Sequence, residues 1–555
     1  MSIVKKIGRW GVFFIVSVFT VLVEHVRASG ELQVSSATEI ITSIMQVIIY
    51  TGLFLLASRA LEWFDQKAVG KDRGEQHLFY CWNRRSVVLT ALLLAGLYLP
   101  YLIIFYPGVA SYDTVNQIKD YVTGTMPIEI SWNAGEPTVS CFLNDHHPVT
   151  DTFLFTFFTE HLGGLLGSAR TGAFLYCGLQ AVVTAFLMAL MLCRMEKLGI
   201  PYLYRKAGGL FLGLAPFVGL YVIGMLKDSV YALVFIAYFL LYVLIVLEGA
   251  DNRRMILLVL LSVLLALTKK TGVYFVVLCN LPLLLVRSVR QKIAVWAVSW
   301  CLPALIVLLL LPRVIFPLCN IYPGGKQESL GFTMQMVART YLDHKKEITP
   351  EEAQIINGVM DLQKLEEAYS GYNYDEVKHL YNFGASESQL SAYKRLWLRL
   401  FVRYPLSGMK ALFGTAGGFF TPTETIRVYY EFPESEYVQI RNPDSLKPVR
   451  EGVKAVYKWL GNFPGASLVL QCVLYTWWLP LLVLLRILFG EEQLSAEGGS
   501  RQKVKLICLI PIAVCVVILW VSPYSMGRYG LPQIYTIPLV MGLGSRAVCA
   551  GVQSK

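Results

Sequence analysis

Apolar runs of membrane-spanning length recur along the chain, and nothing else in the sequence restricts its fold as much. Ser86–Tyr106, Thr171–Cys193, Ser229–Leu247 and Ile293–Leu311 each approach or exceed the ~20 residues a helix needs to cross a bilayer. The composition agrees. Of the 555 residues 55% are apolar and 16% charged, where a soluble chain carries about 25% charge. The sequence therefore reads as an all-α polytopic membrane protein of about twelve transmembrane helices, carrying one mixed, mainly helical outer domain.

The net charge of +11 raises the question of nucleic acid. The basic residues, however, gather in alternate loops (Arg59 to Arg85, Arg194 to Lys206, Arg287 to Lys292, Arg501 to Lys505), as cytoplasmic loops do. They are not interleaved with aromatics on one soluble face, so nucleic acid is set aside. Most cysteines lie inside apolar runs and no CxxC pair occurs, so a disulfide framework is not indicated.

Four segments follow. Residues 1–85 form an N-terminal membrane hairpin and a basic inner loop. Residues 86–312 form the transmembrane core, interrupted by an outer loop at 107–170. Residues 313–465 form the outer domain and 466–555 the last transmembrane helices. Residues 1–28 read either as a cleaved signal or as a retained first helix; retention is the favoured reading. Two hairpins are expected, Gly208–Leu226 with Ser229–Leu247 and Met255–Thr268 with Val273–Val286. Their tips, Lys227-Asp228 and Lys269-Lys270, point outward against the positive-inside trend. In the outer domain Thr349-Pro-Glu-Glu and Ser386-Glu-Ser-Gln are helix-starting capping boxes.

The chemistry concentrates between Tyr106 and Thr152, which hold Asp113, Asp120, Asp145, His146, His147 and Asp151. Ionisable groups this close to hydrocarbon are costly and are kept for a task. Ser111–Val122 reads as a short interfacial helix with Val115, Ile118 and Val122 on one side. Sugar transfer to a hydroxyl needs a carboxylate to take a proton and cations to hold a departing phosphate. Asp113 is the first candidate for that carboxylate and Asp145 the second; the bland alternative is that Ser111 or Asp113 simply caps a helix. His146, His147, Lys227, Lys269, Lys270 and Arg528 are candidate substrate contacts. Asp228 is a candidate partner for one of the lysines. Lysines at such tips also snorkel to interfaces. Trp132, Tyr381 and Trp397 are candidate sugar-stacking faces, although outer aromatics are more often belt residues.

The aspartate in the first outer loop, His146-His147-Pro148 entering a helix and Thr268-Lys269-Lys270 opening another resemble the GT-C glycosyltransferases, among them protein O-mannosyltransferases and lipid A aminoarabinose transferases. The series SYDT, NDHHP, KDS and RYGLP is similar to that of bacterial multi-pass proteins assigned to the same superfamily, over most of the chain after Ser86. The resemblance implies a GT-C-like fold in the cell membrane. It also implies an inverting transfer from a polyprenyl-phosphate-linked sugar to an extracytoplasmic acceptor, with Asp113 as base and Lys227, Lys269, Lys270 and Arg528 on the phosphate. No acidic pair directly follows Asp113, as it does in some relatives, so a divalent cation is left open as a cofactor. The alternative is a transporter or flippase of lipid-linked sugars, which needs ionisable residues mid-membrane and internal repeats; few of the first and none of the second stand out.

Overall fold

The computed structural model describes residues 3–548, except 35, 72–76, 128–137, 464 and 491–495. Among these, six helices are long and apolar enough to cross a membrane: Gly8–Ser29, Ala37–Gly70, Arg84–Ile104, Ala169–Arg194, Lys227–Glu248 and Ile293–Leu318. A pair bent by 44°, Gly499–Cys508 and Ile510–Leu519, makes a seventh if it is one span. Two shorter apolar helices, Gly272–Leu285 and Leu474–Phe489, pack among them.

The gap between about twelve expected crossings and six or seven such helices has local causes. Pro216 pushes Ala215 to an extended ψ of 116°, as a proline does to its predecessor, and splits the first hairpin arm into Tyr202–Leu214 and Pro216–Val222. Lys269 is extended (φ −154°, ψ 134°) and ends the Asn252–Thr268 helix. The following arm turns to 3-10 helix at Leu281–Leu285, where Pro282 cannot donate to the ladder. Conversely, the second helix runs through Lys71, so part of the expected basic loop is helical.

The N-terminal helix, Ile3–Ser29, is part of the packed body. It pairs antiparallel with its neighbour through Arg9–Glu62 and through Tyr50, whose hydroxyl donates to Glu24 at 2.6 Å. Phe13 and Phe54 stack, and Phe54 meets Trp478 edge-on.

Residues 313–465 divide in two. The helices Gln327–Asp343, Pro350–Asn357 and Glu387–Arg403 enclose a core of their own around Met334, Val337, Ile356, Tyr393 and Leu396. Both expected capping boxes form, at Thr349 and Ser386. From Ala416 onward, Phe419, Phe420, Ile426 and Tyr457 join the main core instead. Tyr381 is buried in the smaller core and Trp397 packs against it, so neither offers a free ring face for sugar stacking. Trp132 lies outside the described residues.

Candidate active site

Two short parallel strand pairings bring the motif residues together. Val109 pairs with Gly224 and Ala110 with Met225, so the helices that start just beyond, Tyr112–Thr123 and Lys227–Glu248, open side by side. Gly108 makes this approach: its φ is +137°, and a Cβ there would lie 2.4 Å from Cys177 Sγ. Asn442 Nδ2 sits 3.0 Å from the carbonyls of Phe105, Tyr106 and Gly108, which pins the turn. The second pairing, Leu143 with Ile321 and Asn144 with Tyr322, carries the Asp145-His-His segment to the same place.

Ser111 caps the first of these helices, its side chain accepting from the Thr114 N–H. Asp113 is therefore free of the cap role and stands in the first turn, where the helix dipole favours an anion. Val115 and Ile118 join the main core, whereas Val122 is exposed, so the helix is anchored in the body with only part of the expected apolar side inward. Lys227 is the first residue of its helix, a position the dipole disfavours for a cation. Its partners hold it there: its ammonium lies 3.1 Å from Asp113 Oδ2 and donates to His147 Nδ1 at 2.9 Å.

Arg528 joins the two carboxylates. It donates through Nη2 to Asp113 at 2.9 Å and through Nη1 to the Tyr429 hydroxyl at 2.9 Å. Its Nε lies 3.3 Å from Asp228 Oδ2; that contact is an ion pair without hydrogen-bond alignment, because both atoms remain without a hydrogen-bond partner. Lys269 completes the set, 2.8 Å from Asp228 Oδ1 and flanked by the rings of Tyr231 and Tyr529. Burial alone would raise the Asp113 carboxyl, but Lys227 and Arg528 hold it well below the usual carboxylate range. Burial and Lys227 push the His147 imidazole well down, in keeping with a neutral ring whose Nδ1 accepts from the ammonium.

Asp145, His146 and Lys270 stand one step out. Lys270 is 3.5 Å from the Asp145 carboxylate and donates to the Asp145 carbonyl. The His146 ring lies against His147, centroids 4.5 Å apart, and its buried Nδ1 has no hydrogen-bond partner. Burial lowers the His146 pKa to about 4, with Glu328 opposing. Asp145 is raised by burial, which Lys270 only partly offsets. All eight candidates from the sequence thus fall in one neighbourhood, and the expected partnership of Asp228 with a lysine is present.

Three members were not anticipated, and a fourth had no role assigned. Tyr429 and Asn442 lie on irregular chain that shows no periodicity. Asp151 was noted only for its charge; both its oxygens are buried without a hydrogen-bond partner, and burial raises its carboxyl well above the ordinary value. Arg27, at the end of the N-terminal helix, donates to Gly414 O at 3.0 Å, to Ser525 Oγ at 3.3 Å and to Glu424 at 3.3 Å. Ser525 and Glu424 begin the stretches that deliver Arg528 and Tyr429, so Arg27 ties both to the first helix.

Among the described residues no three His, Cys, Asp or Glu side chains gather as a metal-holding group. Asp113, Asp228 and Asp145 each face a lysine or arginine already. Four cations against three carboxylates suit an incoming anion better than a divalent cation, so the residues do not fit the cation left open by the sequence.

A family described as "Family of unknown function (DUF6020)" matches residues 5–547. The chain belongs to the DUF6020 family. No curated protein and no solved structure matches it. The match spans every residue of the cluster, from Arg27 to Arg528, so in this DUF6020 protein the N-terminal helix and the site lie within one family unit.

Proposed function

We propose that this protein is a membrane glycosyltransferase that moves a sugar from a polyprenyl-phosphate-linked donor to an acceptor hydroxyl on the extracytoplasmic side of the cell membrane. The observation that carries the reading is Asp113 held between Lys227 and Arg528 at one end of an apolar helix bundle. In the proposed reaction the acceptor oxygen attacks the anomeric carbon and the bond from that carbon to the phosphate oxygen breaks. The bonding pair leaves with the phosphate, and the acceptor proton passes to Asp113. Attack opposite the leaving group inverts the anomeric centre.

The resting ion pairs give this scheme its switch. A carboxylate held well below its ordinary pKa is a weak base. A donor phosphate between Lys227, Lys269 and Arg528 competes for the same cations, and as they turn to it the Asp113 carboxyl rises and becomes a better proton acceptor. Lys270, His146 and Asp145 would meet the acceptor from the outer edge.

The test is transfer of labelled sugar from a panel of polyprenyl-phosphate donors by purified protein in lipid, wild type beside Asp113→Asn. A loss of about 10²-fold or more in the variant, the scale of a missing general base, supports the reading. Full activity in the variant rules out Asp113 as the base. No transfer from any donor by folded protein sets the enzyme reading aside in favour of lipid-linked sugar transport.

A further inference from the structure

The Lys447–Asn462 helix, KPVREGVKAVYKWLGN, is the most sharply two-sided in the chain, and only part of it is packed. Arg450 and Tyr457 face the body, Arg450 donating to Pro443 O at 2.9 Å and Tyr457 to Ile426 O at 2.6 Å. At 3.6 residues per turn, Val449, Val456, Trp459 and Phe463 line up along another edge. They are 47%, 57%, 58% and 51% exposed, and the rings of Trp459 and Phe463 lie 5.3 Å apart. Lys447, Lys454 and Lys458 stand on the opposite edge, all exposed. A row of large bare apolar side chains rimmed by lysine marks an interaction surface.

We propose that this helix lies flat in the surface of the membrane, its apolar row in the acyl boundary and its lysines on anionic lipid headgroups. Two observations select a lipid surface as the occupant. The first is charge: the helix presents three exposed lysines against one carboxylate, Glu451, which complements anionic headgroups. The second is continuity: the exposed apolar strip runs on through Leu468 and Val469 to the apolar Leu474–Phe489 helix, so the chain enters hydrocarbon from this edge. Tryptophan and phenylalanine on one side and lysine on the other is the composition of interfacial helices.

The placement has a consequence for the cavity above the helix. Lys447, Arg450, Glu451 and Lys454 form one wall of a space of about 230 Å³ whose other wall includes Tyr112 and Tyr429. Tyr429 accepts from Arg528. A helix about 10–12 Å across separates this cavity from the apolar row, which sets the cavity at headgroup depth, beside the Asp113 cluster.

Brominated-lipid quenching tests the proposal without any assumption about activity. Wild type and Trp459→Phe are placed in nanodiscs whose phospholipids carry bromine at graded acyl depths, and the difference in their emission isolates Trp459. The expected result is quenching of that difference, strongest with the shallowest bromines. Unchanged emission with every brominated lipid, as when water, a second copy or another protein covers the edge, overturns the proposal. The headgroup half is read by native mass spectrometry of Lys447→Gln, Lys454→Gln and Lys458→Gln, singly and combined. Retained anionic lipid should fall by about fivefold per lysine while zwitterionic lipid is unchanged. Equal retention in the triple variant overturns that half. Trp459→Phe keeps an apolar ring and the lysines are exposed, so folding is preserved.

Discussion

Two carboxylates, each held by a pair of cations, sit at opposite ends of this molecule. At one end Asp65, with no solvent exposure, takes Arg486 at 2.6 Å and Arg546 at 3.0 Å, and the Tyr204 hydroxyl donates to it at 3.2 Å. Arg486 also donates to Gly544 O. At the other end Asp113 takes Arg528 and Lys227 at similar distances. The pairing chemistry is alike, but the surroundings differ. Asp65 ties the second helix to the Leu479–Phe489 helix and to the chain just past the Leu531–Leu543 helix, and it is closed off. The Asp113 side chain is 30% exposed, its neighbours Asp228, His146, Asp151 and Arg528 hold unsatisfied polar atoms, and a cavity adjoins it through Tyr429. Buried ion pairs serve as struts where they are saturated. Unsatisfied atoms beside open space cost stability and mark the end where a ligand would satisfy them.

The largest expected contrast is between the two aspartates themselves. Asp113→Asn should lower sugar transfer by about 10²-fold or more with a modest fall in the unfolding midpoint, because water reaches that site. Asp65→Asn leaves Arg486 buried without its carboxylate and should cost about 3–5 kcal/mol of stability, while transfer per folded molecule stays at the wild-type level. Parallel assays and thermal melts of the two variants check this, and an equal split of effects would erase the distinction.

Much of that contrast was legible in the sequence, though unevenly. Continuous apolar runs announce their helices, and Lys227, Lys269 and Arg528 stand out because they are cations at the ends of such runs. Asp65 was hidden for the opposite reason. Glu62, Asp65 and Lys67 make the end of the second helix look like a loop, and only Arg9, Arg486 and Arg546, remote in sequence, let it stay helical. Tyr429 and Asn442 lie in chain without periodicity, where spacing carries no signal. Arg27 reads as the basic end of a helix, and its hold on the Ser525 and Glu424 stretches exists only in three dimensions. The shortened hairpins were traceable to Pro216 and Lys269, but hydrophobicity outweighs such breakers when a run is read by composition alone.

Next in size is the pH response. The folded pKa of Asp113 is depressed, so its stabilising contribution is present above the unfolded value near ~3.9 and is lost as pH falls through the lower folded value. Wild-type kcat/KM, which reports the free enzyme, should therefore show no acid limb from Asp113 in the ordinary carboxylate range. Lys227→Met removes the foremost of the charges that depress it, and an acid limb should move up into that range. A pH–rate profile of the two proteins decides it; identical acid limbs would mean that Lys227 does not set the ionisation of Asp113.

Arg528→Lys should have a smaller effect. The guanidinium reaches Asp113, Asp228 and Tyr429 from one planar fork, and an ammonium cannot span all three. Loss of one charge-assisted hydrogen bond is worth roughly 1.5–3 kcal/mol, so donor KM should rise by roughly 10- to 100-fold with a lesser change in kcat. A fall in kcat alone would place Arg528 on the transition state and not on the bound donor.

The smallest effects belong to the outermost cation of each cluster, and they sharpen the comparison most cleanly because neither change should disturb Asp113 or Asp65. Lys270 is 41% exposed against Asp145, and Arg546 is 44% exposed against Asp65. Pairs this open to water contribute about 0–1 kcal/mol. Lys270→Ala should therefore raise the acceptor KM by no more than about fivefold and leave the melt untouched. Arg546→Ala should lower the unfolding midpoint slightly and leave KM untouched, since Arg486 still neutralises Asp65. Gly324→Ala is the control on the first of these. A Cβ there would lie 2.5 Å from the Asp145 carbonyl oxygen and 2.7 Å from the Lys270 ammonium, so it should displace both the Asp145 backbone and the lysine without removing either charge. If Gly324→Ala raises KM as much as Lys270→Ala does, the position of the Asp145–Lys270 pair matters and not merely its charges. If both leave KM unchanged, Lys270 is a solvated tip residue, and the functional cluster ends at His147 and Lys269.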